Sequence, residues 1–131
     1  MFRSRLAGVL VALLAAGGCG EAKIGIPAGF PADVPLPERA ALRSARDLGK
    51  RGLNVVFETG EAVRPLSDRL GGRLRAAGWS PMSEAVLEAS VFSSWRKGER
   101  TVALGVSAAA GVTVVGISVV ERPYSEWEEK G

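Results

Sequence analysis

The chain offers one thiol, Cys19, and no histidine. A lone cysteine cannot close a disulfide within the chain, and without imidazole the usual acid/base pairs and nearly all zinc sites are excluded. Any chemistry would fall to carboxylates, Lys, Tyr or Ser. Glu126, Glu128 and Glu129 stand close together, and paired acids can cleave glycosides when they flank a sugar in a cleft. Here they follow Pro123 in a polar tail, where a solvated end is expected and no catalytic residue is assigned. Arg39, Arg43, Arg46, Lys50 and Arg51 form a basic set. Beside anionic lipid each such group adds about 1 kcal/mol of attraction, although ordinary charge patterning would make the same set a solubilising face. Tyr124 and Trp127 are a further pair, able to anchor a partner or to fold back over a sheet. No Gly-x-x-x-x-Gly-Lys-Ser/Thr phosphate loop is present, and neither a metal nor a dissociable cofactor is expected.

Cys19 stands out by its position. Arg3 and Arg5 precede an apolar run over residues 6–16, after which come Gly17 and Gly18. A spanning helix needs roughly 20 apolar residues, so this run is too short to remain in a bilayer and has the layout of a cleaved secretory signal. The segment Ala16-Gly17-Gly18-Cys19 resembles the lipobox of bacterial lipoproteins, with Ala16 standing where that family more often has Leu. The resemblance implies cleavage before Cys19, a diacylglyceryl group on its sulfur, and acylation of the new amino terminus. Covalent lipid would also remove the hazard of an unpaired thiol in an oxidising compartment. Two or three chains hold a protein firmly where one holds it marginally. The family's sorting rule, applied to Gly20, favours the outer membrane of a cell that has one, with the domain facing the periplasm.

Removal of residues 1–18 takes two of the 17 basic residues and none of the 14 acids, so the formal charge of +3 falls to about +1. Such a balance gives no case for a nucleic-acid partner, which needs a basic stripe making many phosphate contacts. Residues 19–37 are expected to be a lipidated amino terminus and a flexible tether rich in Gly and Pro. A dozen such residues hold a domain roughly 20 Å from lipid on average. The folded domain is expected over residues 38–122, and residues 123–131 are a polar tail.

Within that domain, residues 53–59 are β-branched and aromatic and read as a strand ending at Gly60. Val63, Leu66, Leu70, Leu74 and Ala77 recur at helical spacing and predict a helix over about 62–77, with Pro65 in its first turn. Gly78 and Trp79 read as its cap, the Trp ring folding back on Leu74. Gly71 and Gly72 weaken the helix or mark a close approach. Arg64 and Asp68, four apart, are expected to pair on its surface. Three more strands are expected at 89–96, 100–107 and 112–120. Alternation places Val102, Leu104 and Val106 with Thr113, Val115, Ile117 and Val119 on one face, and Ala103, Gly105, Gly116 and Ser118 on the other.

Residues 40–48 give conflicting signals. Arg39, Arg43, Arg46 and Lys50 fall at helical spacing. The stretches Asp33-Val34-Pro35-Leu36-Pro37, Phe57-Glu58-Thr59 and Ala77-Gly78-Trp79 are similar to uncharacterised small bacterial lipoproteins, and that resemblance implies an extended strand after the prolines. A strand is expected. The fold class is then α+β, a small antiparallel sheet with one helix packed on a face, in the order ββαβββ.

The function expected is that of a non-enzymatic, membrane-tethered envelope lipoprotein presenting its domain to a protein partner. The alternative is a periplasmic carrier of a small ligand or lipid, which needs an apolar cavity of roughly 300 Å³ or more between helix and sheet.

Overall fold

A computed structural model describes residues 25–121. The elements are β1 (Ala40–Asp47), a single 3-10 turn (Gly49–Arg51), β2 (Leu53–Thr59), α1 (Val63–Ala76), β3 (Ser80–Val86), β4 (Ser90–Lys97), β5 (Arg100–Ala109) and β6 (Val112–Val120). The strands form one sheet in the order β1-β2-β6-β5-β4-β3, every neighbouring pair antiparallel. The chain is therefore α+β, and its order is ββαββββ.

The expected order lacked β3. Its sequence, Ser-Pro-Met-Ser-Glu-Ala-Val, is exposed along its whole length, so no apolar face leaves an alternating signature. Pro81 also reads as a breaker, yet β3 is an edge strand, and an edge tolerates a missing donor. A register shift between Pro81 and Ser83 absorbs the irregularity.

The remaining elements follow from pattern. Across β5 and β6, Val102 faces Val119, Leu104 faces Ile117 and Val106 faces Val115, all buried. Val55, Phe57, Trp95 and Val91 extend the same face over β2 and β4. The conflict at β1 resolves as a strand: Leu42 and Ala45 pack on the core face of the sheet, with a bulge between Leu42 and Ser44 adjusting the register.

Helix α1 lies on this face with Leu66, Leu70 and Leu74 fully buried and Val63 and Ala77 half-buried against them. Each buried Leu contributes about 2 kcal/mol of apolar transfer. Pro65 is the third helical residue, where its missing donor breaks no intrahelical bond. At the other end Gly78 has φ +98, the Gly78 amide donates to the Arg75 carbonyl and the Trp79 amide donates to the Leu74 carbonyl, each at 3.0 Å. That pair of bonds is a Schellman cap, and Trp79 is buried in the same core as Leu74.

The helix covers only part of the sheet. The segment before β1 covers the rest: Phe30, Val34 and Leu36 pack into the core, and Pro37 is buried. The folded unit thus begins at about Phe30, not after Pro37. Gly and Pro in this stretch disfavour helix and strand, but three apolar side chains hold it against the sheet as an extended strap.

Candidate functional site: a clasped pole and an open sheet face

The register gives the sheet two distinct ends. At the first, Asp47 faces Leu53, Leu53 faces Val119, Val120 faces Thr101, Lys97 faces Arg100, and Ser80 faces Arg96. The β1–β2 turn, the end of β6, the β4–β5 turn and the carboxyl end of α1 therefore meet at this pole. At the opposite pole lie the β3–β4 turn, the β5–β6 turn and the start of α1.

Where the strap meets the first pole, Asp33 is gripped from both sides. Arg100 donates in bidentate fashion, Nη2 to Oδ1 at 2.7 Å and Nη1 to Oδ2 at 2.9 Å, and Lys97 Nζ donates to Oδ2 at 2.8 Å. Lys97 also donates to the Ala77 carbonyl at 2.7 Å, and Trp79 Nε1 donates to the Asp33 carbonyl at 2.9 Å. The Arg100 guanidinium lies 4.9 Å from the centre of the Trp79 ring, so the cation also rests on an aromatic face. Its Nε is 3.3 Å from Glu121 Oε1, an ion pair without hydrogen-bond geometry.

This clasp joins strap, helix end and β4–β5 turn. Hydrogen bonds from Arg100 hold the Asp33 carboxyl well below the usual carboxylate range; partial burial opposes this, and Lys97 adds to the lowering. The Arg100 guanidinium is correspondingly pushed up by its bonds to Asp33, against partial burial and with help from Glu121. A carboxylate so stabilised is a poor proton acceptor at neutral pH, and both of its cations are already bound to it. The cluster is suited to holding the strap in place and unsuited to acid/base work.

On the far side of the sheet from α1, small residues form the floor of an open trough of about 420 Å³, with Ala103, Gly105, Gly116 and Ser118 at its base. Asn54 Nδ2 donates to Ser118 Oγ at 2.7 Å, and the hydroxyls of Ser83 and Ser94 are 2.6 Å apart, so its polar rim is internally paired. The Phe92 ring closes one side, lying over Gly105 so closely that a Cβ there would stand 3.0 Å from the ring. Phe92 is nonetheless 45% exposed, and on the same hairpin Met82, Val86 and Leu87 are 55%, 47% and 58% exposed. These four make the β3–β4 hairpin the apolar margin of the sheet, with Leu87 at its tip.

A second groove of about 250 Å³ runs between α1 and β3–β4, past Ser67, Gly71, Arg75, Pro81 and Trp95. The layer between helix and sheet beneath it is filled by Leu66, Leu70, Leu74, Trp79 and Trp95. Trp95 Nε1 donates to Ser93 Oγ at 2.9 Å, and the Arg75 guanidinium lies 5.5 Å from the centre of its ring.

The basic set does not form one patch, because helical spacing on a strand sends side chains to different places. Arg43 pairs with Glu58 at 3.1 Å. Arg39 lies at the pole opposite the clasp, where its carbonyl accepts from Thr59 Oγ1. Arg46, Lys50 and Arg51 lie at or next to the β1–β2 turn, on the clasp side, and all three are exposed. Arg64 and Asp68 do not pair among the described residues; Arg69 instead binds Glu61 through both carboxylate oxygens, at 2.6 and 2.8 Å, and Arg73 binds Glu38 at 3.0 Å.

Cys19, Tyr124, Trp127 and the three tail glutamates lie outside the described residues. Among those described, no helix is long and apolar enough to cross a membrane, and no group of three or more Asp, Glu, His or Cys is placed to hold a metal ion. The clasp and the edge strand are the features that sequence reasoning missed. The partners of Asp33 are 64 and 67 residues away, a separation that leaves no local signal. Compared with protein families, curated proteins and solved structures, the chain matches none.

Proposed function

We propose that this chain is a lipid-anchored protein of the bacterial cell envelope, non-enzymatic, that presents its α+β domain to a protein partner. The anchor is Cys19, processed and acylated as the lipobox-like Ala16-Gly17-Gly18-Cys19 implies. After Gly20 the sorting rule favours the outer membrane, with the domain in the periplasm. The observation that carries the partner reading is the apolar hairpin: Met82, Val86, Leu87 and Phe92 are all exposed on β3–β4, Phe92 on the trough face and Val86, opposite Val91, on the helix face, with Leu87 at the pole opposite the clasped strap. An anchored domain with its chain entering at one end leaves the other end free for contact. Exposed apolar side chains beside a trough of small residues fit that role.

The carrier alternative draws less support. It needs apolar space between helix and sheet, and that layer is packed with Leu66, Leu70, Leu74 and two tryptophans. The larger hollow lies on the other face, open to solvent and floored by Gly, Ala and Ser.

Site-specific photocrosslinkers in living cells test the partner reading. Placed at Leu87 and Phe92, they are expected to yield one discrete adduct that a crosslinker at Asp68, exposed on α1, does not give. Equal adducts at all three positions, or none, would contradict it.

A further inference from the structure

Sequence spacing groups five basic residues that the fold disperses, and the fold gathers a different group. Lys50 and Arg51 lie in the β1–β2 turn, and across the end of the sheet Arg96 is the last residue but one of β4, beside the β4–β5 turn. All three are exposed, and among the described residues none is paired with an acid. The acids nearest them are engaged: Asp33 by Lys97 and Arg100, Glu121 by Arg100, and Asp47 Oδ1 by the Gly49 amide at 2.9 Å. Asp47, Glu99 and Glu121 are the exposed acids at this end, fewer than its cations Arg46, Lys50, Arg51, Arg96, Lys97 and Arg100 even when Asp33 is added. Arg46 adds a fourth exposed cation just before the turn.

This is also the end at which the strap is held. Asp33 is fixed to Lys97 and Arg100, so the strap is pinned at the pole that carries the unpaired cations.

We propose that this pole, through Lys50, Arg51 and Arg96, rests against the anionic headgroups of the membrane to which the chain is anchored. The inference rests on the lipid-anchor reading of Cys19. It adds an orientation to it: the clasp turns one end of the sheet to the bilayer, the cations hold it there, and the β3–β4 hairpin tip points away. Anchoring supplies high local concentration, so a weak charge attraction suffices to set the pose.

The test uses the chain from residue 19 onward carrying Cys19→Ser, so that binding is read without lipid. Sedimentation with vesicles containing phosphatidylglycerol in low salt is expected to capture it, and neutral phosphatidylcholine vesicles are not. Each cation removed is expected to weaken binding about fivefold, so Lys50→Ala/Arg51→Ala/Arg96→Ala loses on the order of 100-fold, and binding falls in high salt. All three side chains are exposed, so circular dichroism should show the fold intact. Inorganic phosphate at equal ionic strength is expected to compete no better than chloride, which separates a headgroup surface from a phosphate pocket. For orientation, a fluorophore at Glu99→Cys is expected to be quenched by lipid-borne quencher, and one at Glu88→Cys on the β3–β4 turn is not. Binding indifferent to the triple substitution, or equal quenching at both positions, overturns the proposal. Either outcome leaves the anchor reading standing, since lipid on Cys19 is read separately by mass.

Discussion

Asp33 shows how one residue can change what a segment is. Its surroundings, Pro31 to Pro37, read as a linker, yet its carboxylate takes three hydrogen bonds from two cations and its carbonyl takes another from Trp79. The linkage sign follows from the lowered carboxyl. Between its native value and the ordinary 3.8, the unfolded chain binds the extra proton, so stability falls as pH falls. The contribution is fully present above about pH 5 and is lost progressively in the acid range below the unfolded value. Asp33→Asn is therefore expected to lower stability by about 2 kcal/mol at pH 7 and to unfold along a flatter acid limb. Urea denaturation at pH 7 and at pH 3 checks this: the gap between the two proteins should shrink at the lower pH, and parallel acid limbs would contradict the clasp. None of this was legible in the sequence, because Asp33 and its cations are brought together by the whole sheet. Cys19 is the opposite case, since its flanking residues alone carry its reading.

At the scale of elements, legibility tracked burial. β2, β4, β5, β6 and α1 each bury one face, so apolar period marked them and gave the facing of Val102, Leu104 and Val106 correctly. β3 buries neither face and left no such mark. The two adjacent glycines of α1 also separate once the fold is known. Gly71 lies beside the Trp95 ring, where an added Cβ would make contact at 3.4 Å, whereas nothing stands within 4 Å of one added to Gly72. Gly72→Ala is thus expected to stabilise the protein by about 0.5–1 kcal/mol through helix propensity. Gly52→Ala is expected to cost on the order of 2 kcal/mol or more, because φ is +102 there and a Cβ would collide with the Val119 carbonyl. Thermal unfolding of the two variants should move the midpoint in opposite directions. A loss at Gly72 would mean that the helix surface there is covered.

For the whole molecule, the folded unit is polar in the geometric sense. The strap enters at one end, clasped beside Lys50, Arg51 and Arg96, and the exposed apolar hairpin ends at the other. The sheet carries its core on the helix and strap side and a shallow, small-residue trough on the other. The measurement that bears most directly on the anchored reading is mass spectrometry of the chain recovered from the membrane fraction of cells expressing the full sequence. The amino-terminal peptide is expected to begin at Cys19 with a diacylglyceryl thioether and an acylated amine. A peptide bearing a free thiol at Cys19, on protein recovered from the soluble fraction, would contradict it.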